Sequence, residues 1–562
     1  MYFAYDQEHQ FYYYGEVEPR AGLYTDFLTD PKVIAVDTET ISLKERIAIG
    51  VGISPNPRMA FYFPLFPEPS SYTPWGLLKD PNVKKLFQNA PFDLLCLREY
   101  EIYNGNIGDT NVLAQLLNIR PSKLINLANY MEENGGGCYE VHTIPDILDK
   151  GQVMLDLPEE KVAMKCCQDA VATHAIHDFL LPKVDADYYN TEMELIPILI
   201  DMSFKGILLD QVVRARLEKG LEKEVSYYID LAYTDGFNPS SSQQVGYMLA
   251  KRGAYSVFRR IPFTRGGMSG KKQLSTSVEV LEKMNDPLAA MVLDYRAKSK
   301  LLSTYIRPWA KEERASTRFH LDAVTGRISS TDRNLQNIPK GEVRNMFLPD
   351  SGIFTDADLS QIELRVLAHV SGDREMQYIY SLPRFNADGT PNIEADIHQQ
   401  TADFLGIPRR PSKNVNFSMI YGGTDETIME TAHIKSLSRA KQLKEMWFEK
   451  WKEAGDYIQT VQEEALRNPY ATTLLGRKIK LPTLEEESEG RIRRKAVNYP
   501  IQGSAAEIIK RAMIRCKDLP MVMQVHDELI FDGYVSADKL EPMESIAPFP
   551  TPIDIKYLQC WE

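Results

Sequence analysis

The chain has 562 residues, is 43% hydrophobic and 25% charged, and carries a formal net charge of −13. That length supports several domains with cores of their own, and no apolar run nears the ~18 residues of a membrane span, so no membrane partner is expected. The opening stretch MYFAYDQEHQFYYYGE lacks the basic and apolar regions of a signal peptide, so the cytoplasm is the expected location. Six cysteines include no C-x-x-C pair, and adjacent Cys166 and Cys167 are poor disulfide partners; reduced thiols are expected. The acidic total argues against a nucleic-acid partner only on average, because binding follows local fields. Lys251 to Lys272 contains no acid, and 409–413, 476–480 and 491–495 are basic, as a phosphate backbone requires. Any one of these clusters would serve equally as a solvated loop.

In chain order, PKVIAVDTET and RIAIGVGISP read as an early strand hairpin, and helix-like and strand-like segments alternate to about residue 185, the pattern of an α/β domain. Asp37 and Glu39 stand two apart at the end of the first strand, so period-2 geometry points both to one face. Asp93 sits among apolar residues on a predicted helix with Asn89 one turn earlier, and Asp169 on a second helix beside Ala170, Ala172 and Ile176. Acids in apolar surroundings suit hard divalent ions, and two ions about 4 Å apart can activate water and stabilise a leaving phosphodiester oxygen. His174 and His177, three apart on that helix, read as helix-face residues and not ligands.

D-x-E, then N-x-x-x-D, then the acid of QDAVAT resembles the three-motif 3′→5′ exonuclease superfamily of proofreading polymerases. The resemblance implies a ribonuclease H-like α/β domain in which Asp37, Glu39, Asp93 and Asp169 hold two ions, with Asp109 as a further nearby acid. The family's tyrosine four residues before the last aspartate is here Lys165, which implies a weakened or retuned exonuclease.

From Glu192 to about Trp309 the pattern is mostly helical, broken by the basic Gly-rich loop; 315–372 reads as strands plus a helix, 396–466 as helical, and 490–515 as a helix before a final hairpin. TGRISSTDRNLQNIP supplies Arg327, Asn334 and Gln336, groups suited to phosphates and groove edges. In IFTDADLSQIELRV a strand turns helical near Ser360, with Asp358 at the junction and Asp356 two residues back on the same face. Arg409, Lys413, Phe417 and Tyr421, spaced by four, form one helical stripe of roughly 18 Å, cations at one end and aromatics at the other, about the length of a nucleoside triphosphate. Pro411 fits the first turn, where the helix amino end favours phosphate. Asn498 and Gln502 follow the basic RIRRK, and MVMQVHDELIFD sets Asp527 and Glu528 between two apolar strands. Such a placement is a polar hairpin tip, or a divalent-ion site if Asp527 meets Asp358.

This order resembles the family A DNA polymerases, large-fragment-like and of phage type, over nearly the whole chain: DLSQIELR, RRPSKNVNFSMIYGG and VHDE match motifs A, B and C, and NPSSSQQVGYMLAKRG with the segment ending in KSKLLSTY matches the thumb. The resemblance implies a multidomain α/β and α+β chain: an exonuclease domain (1–187), a thumb (188–310), a palm (311–372 and 490–562) and fingers (373–489). Asp358 and Asp527 would be the catalytic metal ligands, joined by the Leu359 backbone carbonyl where the motif usually has an aromatic, with Glu528 accessory. Arg409 and Lys413 would hold the triphosphate, Lys413 protonating pyrophosphate; Phe417, Tyr421, Gln361 and His526 would complete the dNTP site, and Glu363 would exclude a ribose 2′-hydroxyl. Phe417, where some phage members have tyrosine, implies discrimination against dideoxynucleotides. Arg327, Asn334, Gln336, Arg494, Asn498 and Gln502 would contact DNA. The cofactor implied is Mg²⁺, with Mn²⁺ as the alternative, two ions per site; the partners are primer-template DNA, dNTPs and accessory replication proteins of a host cytoplasm, the chain acting as a monomer. Neither a 5′-nuclease domain nor a thioredoxin-binding insertion is expected. Rival readings are a single-subunit RNA polymerase, against which Glu363 and the exonuclease motifs speak, a nuclease with a dead second half, against which Asp358, Asp527, Lys413 and Arg409 speak, and a non-enzymatic DNA-binding protein.

Overall fold

A computed structural model describes residues 2–7, 11–15, 31–42, 47–69, 71, 73–102, 104–265, 272–434 and 436–562. The predicted basic loop within Lys251 to Lys272 therefore lies partly, at 266–271, outside the described residues. No described helix is long and apolar enough to cross a membrane, and all six cysteines are free.

The first body is a seven-stranded sheet in the order β2-β1-β5-β4-β3-β6-β7, with β1 Tyr2–Asp6, β2 Phe11–Gly15, β3 Val33–Thr40, β4 Ala48–Asn56, β5 Met59–Pro64, β6 Lys84–Phe87 and β7 Ile107–Asp109. The predicted hairpin is β3–β4, antiparallel, whereas β6 and β7 join β3 in parallel. The outer strands β1 and β2, too short and aromatic to show a clear period, were not foreseen. Helix Glu159–Leu180 lies across β3, β4 and β5, and most of its residues are buried, which explains why it carries no polar stripe. Gly52, paired with Asp37, allows this approach: a Cβ there would come within 2.9 Å of the Cys166 carbonyl oxygen and sulfur.

The second body is built on a four-stranded antiparallel sheet in the order Met521–Val525, Glu528–Asp532, Phe354–Leu359, Ile553–Leu558. The predicted final helix is Glu489–Arg515, and the predicted helical stretch resolves into Ile397–Leu405, Arg409–Ile420, Asp425–Thr431, Leu437–Lys450 and Lys452–Glu464. Helices Gln211–Thr234 and Pro287–Lys300 pack together in the middle third, and a separate core forms around Val245, Leu281 and Val292.

The two bodies share one core. Tyr189, Leu195 and Ile196 of helix Ala186–Lys205 belong to the same buried cluster as Phe354, Leu529 and Phe531. Across this junction Lys510 Nζ donates to both oxygens of Glu192, at 2.7 and 2.8 Å, with only 3% of the lysine side chain accessible. Removing one partner strands the other charge, so Lys510→Met should cost about 3 kcal/mol. Adding Glu192→Leu should recover most of that loss; melting the four proteins of this double-mutant cycle checks it.

Candidate active sites

In the first body, Asp37, Glu39, Asp93 and Asp169 converge. Glu39 and Asp169 both accept hydrogen bonds from Lys165 Nζ, each at 2.7 Å, and all three side chains are buried. Asp93 Oδ1 accepts from Thr38 Oγ1 at 2.6 Å and Thr38 N at 3.2 Å, which ties helix Ala90–Cys96 to β3. Burial holds the Asp37 carboxyl well above its ordinary range, with the charge of Asp169 adding to the push; burial also raises Glu39, against the pull of Lys165. Asp93 is pushed by burial up to about 7 despite its bonds to Thr38. Asp37 Oδ2 and Asp169 Oδ1 are buried with no hydrogen-bond partner, a donor set that fits a divalent ion. Cys166 also brings its sulfur within 4.8 Å of the Asp37 and Glu39 oxygens, an approach that nothing in the sequence pattern signals.

Asp109 is placed differently. It caps helix Thr110–Leu116 and accepts from four backbone N–H groups, those of Asn89, Ala90, Asn111 and Val112, so it braces the neighbouring elements and is not a free ligand. His174 and His177 are structural, as their spacing suggested: Nδ1 of His174 donates to the Ser54 carbonyl at 3.1 Å, and Nε2 of His177 meets the Tyr189 hydroxyl at 3.2 Å.

In the second body, the antiparallel register sets Asp358 directly opposite Glu528 on one side and Asp554 on the other. Asp527 follows His526 in a two-residue turn, where His526 adopts a left-handed φ of 57°, and the Asp527 carbonyl accepts from Leu359 N at 3.0 Å. Asp358 and Asp527 thus share a cleft of about 500 Å³ that Arg409, Lys413, Phe417 and Tyr421 also line. Burial pushes the Asp358 carboxyl up to about 7, helped by the charges of Asp527, Glu528, Asp356 and Asp554; burial also raises Asp527. Asp356 rises to about 6, mainly through burial and then Glu528. Glu528 accepts from Trp561 Nε1 at 3.4 Å, beneath the Arg344 guanidinium, which lies 4.1 Å over the indole.

Arg327, Gln361, Glu363 and His526 also line this cleft. Glu363 is buried, paired with Arg327 and accepting from the Tyr421 hydroxyl at 2.7 Å. Arg409 and Lys413 are exposed, and Arg409 Nε donates to Asp396 Oδ2 at 2.6 Å. Phe417 and Tyr421 stack with ring centroids 6.4 Å apart. Asn334, Gln336, Arg494, Asn498 and Gln502 are not among the walls of this cleft. Asn334 caps the turn Leu335–Asn337, and the Gln336 amide is buried, donating to Ile328 O, Gln524 O and Gln524 Oε1; both act on the scaffold. The amide nitrogen of Asn498 is buried without a partner. Asp396, His398 and Asp554 were missed: in ADIHQQTA a capping acid followed by a histidine in the first turn of a helix was the available signal. His398 is buried, its ring 6.0 Å from that of Phe417, and burial pushes it down to about 4.

The family description "DNA polymerase family A" matches residues 210–548, more than half of the chain. The chain belongs to DNA polymerase family A. Residues 24–185 match the description "3'-5' exonuclease". Among relatives of this family A chain, DNA polymerase I of Chloroflexus aurantiacus is 31% identical over 92% of this chain and 58% of its own length. DNA polymerase I of Rhizobium leguminosarum is 31% identical over 81% of this chain and 47% of its own, and that of Bacillus subtilis 29% over 93% and 62%. The chain therefore spans about half the length of the curated relatives it matches. The solved structure described as the POL domain of Pol1 from M. smegmatis, in complex with DNA primer-template and dNTP, shares the fold with a TM-score of 0.75 at 24% identity, over 97% of this family A chain and 98% of that one.

Asp358 holds its proton more tightly folded than unfolded. Folding therefore binds a proton between pH 3.8 and about 7, and stability falls as pH rises through that window. Asp358→Asn should raise the melting temperature at pH 8 in chelator and leave it nearly unchanged at about pH 3, below both values. Equal melting of the two proteins at pH 8 would contradict this electrostatic account.

Proposed function

We propose that this chain is a template-directed DNA polymerase that adds dNTPs to a primer 3′-hydroxyl, carries a 3′→5′ exonuclease in its first body, and serves DNA replication. The observation that carries the reading is the meeting of Asp358 and Asp527 in a cleft that Arg409, Lys413, Phe417 and Tyr421 also line. We assign 1–187 to the exonuclease, 188–310 to the thumb, 311–372 with 490–562 to the palm, and 373–489 to the fingers. The solved relative's primer-template DNA and dNTP are the substrates expected here too.

Asp358, Asp527 and the Leu359 carbonyl would hold the divalent ions of the polymerase site, and Asp37, Glu39, Asp93 and Asp169 would form the metal site of the exonuclease. Mg²⁺, with Mn²⁺ as the alternative, would lower the pKa of the attacking hydroxyl and neutralise charge on the reacting phosphate. The chain's own groups do the positioning. Arg409 and Lys413 bind the triphosphate oxygens from the amino-terminal turns of helix Arg409–Ile420, where the helix also favours negative charge. Lys413 is placed to give a proton to pyrophosphate as the bond between the α-phosphorus and its bridging oxygen breaks and the 3′-oxygen bond to that phosphorus forms. Phe417 and Tyr421 offer apolar faces to sugar and base. Glu363, held by Arg327 and Tyr421, presents a rigid wall where a 2′-hydroxyl would have to fit. Arg327, Arg494, Asn498 and Gln502 remain the candidates for DNA contacts. The chain would act as a monomer, with any accessory replication proteins docking outside these sites.

Primer extension on a defined template, with Mg²⁺ supplied or chelated, tests the reading. Asp358→Asn or Asp527→Asn should lower nucleotide addition by roughly a thousandfold or more while duplex affinity changes little; near-normal extension by either protein removes the assignment. Asp37→Ala with Glu39→Ala should abolish 3′→5′ degradation and spare extension, and joint loss of both activities would argue for one shared site.

A further inference from the structure

The first-body cluster already contains a cation. Lys165 and Asp169 are one turn apart on helix Glu159–Leu180, and Glu39 projects from β3 to meet them. The Lys165 ammonium sits 2.7 Å from Glu39 Oε1 and 2.7 Å from Asp169 Oδ2, where a divalent ion bridging those two carboxylates would have to sit. The ammonium leaves two oxygens unused: Asp37 Oδ2 and Asp169 Oδ1 are buried without a hydrogen-bond partner. Against the −4 of four carboxylates, Lys165 with one divalent ion supplies +3, and with two it supplies +5. With Lys165 in place, a second divalent ion would share its ligand oxygens with an ammonium and be repelled by it.

Resting on the exonuclease reading, we propose that Lys165 permanently takes one of the two metal positions, so that this exonuclease site binds a single divalent ion, held by Asp37 and the free oxygen of Asp169. Two N–H groups of the ammonium are spent on Glu39 and Asp169, and the third is left to hold the attacking water or a phosphate oxygen of the DNA.

The test counts Mn²⁺ by electron paramagnetic resonance and titration calorimetry in the full chain carrying Asp358→Asn and Asp527→Asn, so that the polymerase acids do not contribute. With Lys165 present one ion should bind, and adding Asp37→Ala with Glu39→Ala should remove it. Lys165→Met should bind two. In chelator Lys165→Met should melt below the parent, and saturating Mn²⁺ should raise its melting temperature by more than it raises the parent's. Lys165→Tyr, which restores a neutral side chain that can hydrogen-bond, provides a second count if the methionine variant folds poorly, and should also bind two ions. Two ions in the protein that keeps Lys165, or equal counts with and without the lysine, overturn the proposal while leaving the exonuclease reading intact. Absence of any Asp37-dependent ion from all of these proteins overturns the metal reading of this body itself.

Discussion

A row of like charges crosses the four-stranded sheet. Glu528, Asp358 and Asp554 stand directly opposite one another on three adjacent strands, and Asp527 is added from the turn beside them. Acids directly opposite on neighbouring strands repel; burial removes much of the water that would screen Glu528 and Asp358, while Asp554 stays partly exposed and is paired with Arg384. The sheet tolerates the row because the rest of the body overdetermines it. Apolar neighbours Leu529, Ile530 and Phe531 anchor one strand, Phe354 and Ala357 the next, and each of these is essentially inaccessible. The stability forgone at the acids is the condition for a site that attracts cations.

The surrounding contacts make sense as ways of holding that row still. Gln361 and His526 both take left-handed backbone conformations, and they bracket Asp358 and Asp527 where strand gives way to helix or turn. Neither is glycine, so each position stores local strain of order 1 kcal/mol that only a well-packed neighbourhood sustains. Gln336 reaches Gln524 at 2.9 Å, two residues before His526, and so braces the same turn from behind. Trp561 supports Glu528, with its own backbone N–H bonded to Phe347 O at 3.1 Å. The exonuclease acids meet the same problem by another route: helix Glu159–Leu180 brings its own cation into the cluster.

What could be read from the sequence follows from how local each signal is. Asp37 and Glu39 were legible because strand period fixes their common face, and the Arg409-to-Tyr421 stripe because helix period does the same. The meeting of Asp358 with Asp527 depends on a strand register between segments some 170 residues apart, and only the family resemblance supplied it. Gln336 has the chemistry of a groove reader, but side-chain type does not reveal that its amide donor is already spent inside the protein, whereas Asn334 uses only its carbonyl oxygen on the turn it caps. Asp109 was read only as a further acid near the site; its partners are backbone N–H groups whose direction depends on where two helices begin. Asp554 was invisible because its strand, IDIKYL, is half exposed and carries no motif, and its role comes from the residue across from it.

The pairing of Arg409 with Asp396 shows how a site built around acids can also receive a triphosphate. Asp396 does two jobs: it accepts from the N–H groups of His398 and Gln399 at the start of helix Ile397–Leu405, and it holds the Arg409 guanidinium. Arg409 is exposed, so this ion pair is screened and contributes little to stability. A phosphate arriving at the helix amino end can therefore exchange for Asp396 at small cost. The aspartate keeps its capping bonds, so the exchange need not unravel the helix it starts. Glu363 represents the opposite case. Its partners Arg327 and Tyr421 hold it in a buried pocket, and displacing it would leave a carboxylate without water or cation. Strength of pairing thus separates the two proposed roles: the side chain proposed to let go is paired at the surface, and the one proposed to stand firm is paired in the interior.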